Sequence, residues 1–166
     1  MRFAAIETPV GPLTLVAGDA GLRAILWPRE SPPPYADAGS HPVLADAEQQ
    51  LHEYFAGTRR SFDLPLDLVG TPFQRRAWLA LATIPFATTV SYGEQARRLG
   101  VPRATRAVGA ANGRNPISIV LPCHRVVGAS GALTGYGGGL DVKQRLLEHE
   151  RQVGLTDDAR GAFHQS

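Results

Sequence analysis

Ser91-Tyr92-Gly93-Glu94-Gln95-Ala96-Arg97-Arg98-Leu99-Gly100-Val101-Pro102-Arg103-Ala104-Thr105-Arg106-Ala107-Val108-Gly109-Ala110-Ala111-Asn112-Gly113 is the stretch on which the fold turns. Ser91 with Glu94 three residues on forms a capping box, so a helix begins at Tyr92. It ends at Leu99, where Gly100 supplies a C-terminal stop. After Val101-Pro102 a second short helix is expected from about Arg103 to Ala111, stopped by Asn112-Gly113. Two short helices across a glycine-containing turn, with arginines on the second, make a helix-turn-helix; a plain αα corner has the same outline. Charge favours the first. Between Ser91 and Val127, Arg97, Arg98, Arg103, Arg106, Arg114 and Arg125 stand against Glu94 alone, a local charge of +5. The rest of the chain carries 11 basic and 14 acidic residues. A basic segment on a slightly acidic body points to a polyanionic partner, with a solvated arginine-rich face as the alternative.

Immediately downstream lies Ile119-Val120-Leu121-Pro122-Cys123-His124-Arg125-Val126-Val127, which holds the only cysteine. A lone cysteine among apolar residues is commonly inert core. Two features point the other way. Pro122 cannot donate to a sheet ladder, so a strand over Ile117–Leu121 ends there and leaves Cys123 at a strand end. His124 and Arg125 are neighbours of the kind that lower a thiol pKa. Successive strand residues face opposite ways, so Cys123 and His124 meet only through a backbone turn or a bridging water. An activated thiol and an inert one both remain open on these residues alone.

Further along, Gly135-Tyr136-Gly137-Gly138-Gly139 matches neither GxGxxG nor the P-loop pattern. It reads as a closely approached wall of a site or as a plain flexible loop. A last helix is expected over Asp141–Val153, with Val142, Leu146, Leu147 and His149 near its inner side and Glu150 beside them. Upstream, Thr71-Pro72 opens a helix with an N-cap residue and Pro at its first position. Phe73, Ala77, Leu81 and Ile84, with Trp78, carry it to Pro85.

The first seventy residues have a different character. Arg2–Glu7, Leu13–Ala17 and Leu22–Trp27 are β-prone runs separated by turn chemistry, which predicts an antiparallel meander. Pro28–Pro42 reads as a surface loop. Val43, Leu44, Ala47, Leu51, Tyr54 and Phe55 share one helical face, so an amphipathic helix is expected over Val43–Ala56, packed on the small sheet. Arg59–Gly70 looks like an extended crossing. The predicted fold is therefore α/β in two parts: residues 1–70, a three-stranded antiparallel sheet with a helix, and residues 71–166, mostly helical with the helix-turn-helix.

Composition narrows the class. An apolar fraction of 43% argues against disorder. No window approaches the roughly 20 apolar residues of a membrane span, and Glu7 arrives too early for a signal-peptide apolar region. One cysteine excludes an internal disulfide and a multi-cysteine zinc site, so no metal and no cofactor are expected. A soluble, cytoplasmic monomer is the expectation.

At Pro122-Cys123-His124-Arg125-Val126-Val127 the sequence resembles the O6-alkylguanine-DNA alkyltransferases, also called methylated-DNA–protein-cysteine methyltransferases. Colinear motifs extend the resemblance over Thr71–Glu150: Ser91-Tyr92-Gly93, Arg106-Ala107-Val108-Gly109, Asn112-Gly113-Arg114-Asn115-Pro116, Thr134-Gly135-Tyr136-Gly137-Gly138-Gly139, Lys143, and Leu146-Leu147-Glu148-His149-Glu150. The first half matches only in layout, as a ribonuclease-like domain. The resemblance implies direct-reversal DNA repair, in which Cys123 irreversibly takes one alkyl group from O6 of guanine in double-stranded DNA, with O4 of thymine as an open second target. It implies that His124 takes the thiol proton through a water, that Glu150 orients the histidine, and that Asn115 fixes the turn. Tyr92 would protonate the leaving guanine. The carbonyls of Cys123 and Val126 would accept from its exocyclic amine, a backbone N–H near Gly137 would reach O6, and Tyr136 would wall the pocket. The target base must be flipped out. By the resemblance Arg106 fills its place from the minor groove, with Arg103 and Tyr92 also at the DNA. Some relatives carry Ser at the position of Gly137 or Trp at that of Gly138; with a backbone N–H at O6 the lost side chain matters little, and the alternative is a barer wall that admits bulkier alkyl groups. An alkyltransferase-like lesion binder without the cysteine, and a helix-turn-helix regulator, are the alternatives. Cys123 opposes the first, and the set Cys123, Asn115 and Glu150 opposes the second.

Overall fold

The computed structural model describes residues 1–164, with side chains through Thr156. Strands β1 (Arg2–Thr8), β2 (Gly11–Ala17) and β3 (Leu22–Leu26) form the expected meander. Register runs from Arg2 opposite Ala17 to Thr8 opposite Gly11. The Pro9-Val10 turn is closed by the Thr8 hydroxyl donating to the Gly11 carbonyl at 2.7 Å, and Gly11 takes φ +101°, a left-handed conformation that suits glycine. The sheet has a fourth member. β4 (Asp37–Ala38) runs parallel to β1, giving the order β3-β2-β1-β4. This corrects the three-stranded expectation: two residues inside a Pro-rich loop carry no periodicity that could reveal them.

Helix α1 (Pro42–Phe55) starts one residue before its predicted start, because His41 caps it by accepting from the Val43 N–H. Its face Val43, Leu44, Ala47, Leu51 and Tyr54 is buried against Leu13, Leu15 and Leu22 of the sheet. Each fully buried leucine contributes about 1.5–3 kcal/mol. Helix α2 (Pro72–Leu81) opens with a full capping box, Thr71 and Gln74. It ends at Leu81 rather than at Pro85; Ile84 is buried through a tight turn in which its N–H donates to the Leu81 carbonyl.

Strand β5 (Val90–Ser91) leads directly into α3 (Tyr92–Arg98), and α4 (Thr105–Gly113) follows after the turn at Gly100. Ser91 caps α3, but the Glu94 carboxylate does not return to the cap; it pairs with Arg97 and Arg98 instead. Helix α4 begins two residues later than predicted and runs through Asn112-Gly113. Asn112 is no stop: it is buried, and its amide exchanges two hydrogen bonds with that of Gln95, at 2.7 and 3.1 Å, locking α4 onto α3. Trp78 of α2 holds α4 from behind, its indole N–H donating to the Ala111 carbonyl at 2.7 Å.

No strand forms over Ile117–Leu121. The segment is a tight turn in which Ile119 adopts φ +75°, a costly conformation for a β-branched residue. A single 3₁₀ turn, Cys123–Arg125, then leads into β6 (Val126–Val127), which pairs in parallel with β5. Helix α5 (Leu140–His164) closes the chain, longer than the predicted Asp141–Val153. One apolar core runs through both halves, from Leu15 and Leu22 to Trp78, Ile117, Leu121 and Leu146. Among the described residues no helix is long and apolar enough to cross a membrane.

Candidate active site

Asn115 shapes the turn that carries the cysteine. Its amide donates to the Leu121 carbonyl at 2.7 Å, and its carbonyl accepts from the Ile117 N–H at 3.0 Å. The Leu121 N–H donates back to the Ile117 carbonyl, and the Cys123 N–H to the Leu121 carbonyl. These bonds hold the left-handed Ile119 in place and fix where the thiol emerges. From the other side, β3 supports the same turn, since the Ile25 N–H donates to the Pro116 carbonyl at 2.9 Å.

Cys123 is buried, and burial pushes its thiol pKa up despite hydrogen bonds from Asn115 and Ser118 and the nearby Lys143 charge. The sequence expectation was the reverse, and the reason is where the two neighbours point. The 3₁₀ turn engages the Nε2 edge of His124 and the guanidinium of Arg125 with Glu150 of α5, so their charge is spent there and does not offset the burial of the thiol. His124 Nε2 lies 2.6 Å from one carboxylate oxygen. Arg125 reaches both oxygens, at 2.9 and 3.1 Å. Two more donors complete the cluster: the Tyr54 hydroxyl of α1 at 2.6 Å and the Ala87 N–H at 3.0 Å. Burial alone would raise the Glu150 pKa, but the His124 and Arg125 interactions outweigh it and bring it down to about 2. Burial also lowers the His124 pKa, against the pull of Glu150. A neutral imidazole facing a carboxylate places its proton on Nε2, leaving a lone pair on Nδ1. That Nδ1 is buried with no hydrogen-bond partner among the described residues.

In front of the thiol is a cleft of about 560 Å³ that reaches the helix-turn-helix, with Arg106 and Gly109 of α4, Tyr92, Cys123, Tyr136 and Gly137 among its lining. Tyr92 sits across it because β5 pairs with β6, and the Thr134 hydroxyl donates to its oxygen at 2.8 Å, leaving the Tyr92 proton free to be given elsewhere. Val126 does not line the cleft. It is buried, and its carbonyl accepts from Lys143 Nζ at 2.7 Å, while the Cys123 carbonyl accepts from the Val126 N–H. Lys143 also donates to the Thr134 carbonyl at 3.0 Å, tying the glycine-rich loop to β6. The loop is a closely approached wall, as one of the two sequence expectations held. A Cβ on Gly138 would come within 2.9 Å of the Trp27 ring, so that wall is backed by an indole rather than bare.

The basic segment is smaller than the sequence count. Arg125 is buried on Glu150, and Arg97 and Arg98 both bind Glu94. Arg103, Arg106 and Arg114 remain exposed, with no ion pair among the described residues; Arg106 lies at the cleft and Arg103 in the turn before α4. Sequence reasoning missed Tyr54 and Arg125 as members of the cluster, because Tyr54 sits on a helix face that apolar packing already explained.

A buried thiol with a histidine–carboxylate pair behind it, opening on a cleft that a helix-turn-helix borders, defines a thiol enzyme built to work at a nucleic acid. Family comparison gives the particular kind. Residues 72–152 match the DNA-binding domain of 6-O-methylguanine DNA methyltransferase, and residues 1–68 match its ribonuclease-like domain. The methylated-DNA–protein-cysteine methyltransferase of Mycolicibacterium paratuberculosis is 50% identical over 154 residues, covering 92% of this chain and 93% of its own. That of Methanosarcina acetivorans is 44% identical over 155 residues, covering 90% and 98%. The crystal structure of Mycobacterium tuberculosis OGT in complex with DNA superposes with a TM-score of 0.86 at 47% identity, covering 92% and 94%. The chain belongs to the 6-O-methylguanine DNA methyltransferase family.

Proposed function

We propose that this protein repairs DNA directly by moving the alkyl group of O6-alkylguanine onto Cys123, once per molecule. The observation that supports it best is the shared cleft: the thiol and Arg106 of α4 line the same cavity. A thiol held protonated by burial is a poor nucleophile, so a base is required. His124 takes the thiol proton through a bridging water at its unpaired Nδ1, and Glu150 stabilises the imidazolium. The thiolate then forms the S–C bond as the C–O6 bond breaks. The released electron pair goes to the guanine, which takes a proton from Tyr92. S-Alkylcysteine and unmodified guanine remain.

A duplex hides O6 within the base stack, so the base is flipped into the cleft. Arg106 occupies the vacated space from the minor groove, and Arg103 contacts backbone phosphate. Tyr136 walls the base, with the N–H near Gly137 at O6. The guanine amine meets the second lone pair of the Cys123 carbonyl, whose first is already engaged by the Val126 N–H. Residues 1–70 and 71–166 act as a supporting domain and a reacting domain. A reducing compartment, the cytoplasm, suits a single unpaired thiol.

Intact-mass measurement after incubation with duplex carrying O6-methylguanine tests this. One methyl group on Cys123, no second turnover, and no adduct in Cys123→Ala are expected. Sustained turnover of excess substrate by one aliquot would sink the proposal.

A further inference from the structure

Cys123 and Gly137 line two cavities at once. Besides the cleft at α4, they border a cavity of about 260 Å³ bounded by Ala24 and Leu26 of β3, by Trp27 and Glu30 just after it, and by Arg114 and Asn115 of the turn. Displacement at carbon needs sulfur, carbon and the leaving oxygen in one line, so other substituents on that carbon project sideways from it. With the thiol at Cys123 and O6 near Gly137, any arm longer than methyl leaves through space that both residues border. The second cavity is such a space.

We infer that this cavity receives the arm of O6-alkyl groups larger than methyl, and that Trp27, from the N-terminal domain, is its limiting wall; the inference rests on alkyl transfer to Cys123 as proposed above. Trp27 is held for that task. Its backbone N–H donates to the Glu30 carboxylate at 3.0 Å, and its ring meets Tyr136 edge-on with centroids 5.6 Å apart. Arg29 donates to the Gly137 carbonyl. The ring leaves no room for a Cβ at Gly138, so loop and indole are packed in contact. β3 itself is pinned to the active-site turn through Ile25 and Pro116. A cavity of about 150 Å³ takes up benzene. At about 260 Å³ this one accommodates a benzyl-sized arm with room to spare, and a fused two-ring arm nearly fills it, up against Trp27.

Single-turnover rates on duplexes carrying O6-methyl-, O6-benzyl- and O6-(naphthylmethyl)guanine test the assignment, with the adduct read by intact mass. Ala24→Leu fills part of the cavity from β3. It should lower the benzyl-to-methyl rate ratio by about tenfold, the lower end of what one methylene of steric mismatch discriminates. Trp27→Leu should raise the naphthylmethyl-to-methyl ratio by about tenfold. Ratios that stay fixed in both variants overturn the inference, as does an equal slowing on all three substrates, which would make Trp27 a fold-supporting residue only. Failure of the wild-type protein to take up methyl would overturn the reaction itself, a distinct outcome.

Discussion

Glu150 accepts from Tyr54, Ala87, His124 and Arg125 through two oxygens, and this crowding sets what His124 can do. If His124 is the base, His124→Ala should slow methyl transfer at neutral pH by roughly 10²–10⁴-fold, with duplex affinity little changed. The rate should recover above the raised thiol pKa, where thiolate forms unaided. An unchanged neutral-pH rate would refute the relay. Tyr54 gives a subtler test. Its hydroxyl draws charge from the oxygen that His124 also uses, so Tyr54→Phe should leave a more basic carboxylate and a more basic imidazole. The acid limb of the rate profile should then move to higher pH; a uniformly slower profile that does not move would reduce Tyr54 to packing. Neither Tyr54 nor the burial of Arg125 was legible in the sequence. Tyr54 lies 96 residues from its partner and on an apolar stripe, and an arginine two residues from a cysteine looks the same on paper whichever way it points.

At the scale of elements, periodicity and caps made most of the fold legible. The meander, α1 and α3 lie within two residues of their predicted places: the first two have an apolar face of one period, and α3 has a serine cap and a glycine stop. Failures fall where long-range contacts override local signals. Ile117–Leu121 is β-branched and apolar, yet Asn115 bonds its backbone into a turn. Asn112 resembles a helix terminator until Gln95 pairs with it. The helix-turn-helix leads to a prediction for α4. Arg106 is exposed at the cleft mouth without an ion partner among the described residues, whereas Arg98 is held by Glu94. Extruding a paired base costs a few kcal/mol, and nothing for a free base. Arg106→Ala should lose at least about tenfold in rate on duplex and little on free O6-alkylguanine. Arg98→Ala should show only a small, salt-sensitive loss. Equal losses of Arg106→Ala on both substrates would assign the arginine to the pocket or the fold.

Over the whole molecule, the same carboxylate ties together α1, the turn at Ala87, the cysteine turn and α5, so catalysis and stability share one group. Its pKa of about 2 in the folded chain lies below its ordinary 4.5. Above 4.5 the group is charged in both folded and unfolded chains, and its contribution to stability is complete. As pH falls from 4.5 towards 2 the unfolded chain takes up the proton first, and that contribution is lost. His124 adds to the acid loss at a higher pH. Burial holds its pKa below 6.5, so the unfolded chain binds that proton first as well. The exposed pairs of Glu94 with Arg97 and Arg98, and of Glu148 with Arg151, also have lowered carboxylate pKa values. They sit in water, however, and salt screens them. Denaturant midpoints measured from pH 7 to pH 3 in high salt therefore isolate the buried cluster. The wild-type midpoint should fall steeply below pH 4.5. Glu150→Gln leaves Arg125 buried without a counter-charge, and should begin about 3–5 kcal/mol less stable at pH 7. Its decline below pH 4.5 should be shallower, because the titrating group is gone. Parallel declines for the two proteins would place the acid sensitivity elsewhere and remove Glu150 from the centre of the fold's stability.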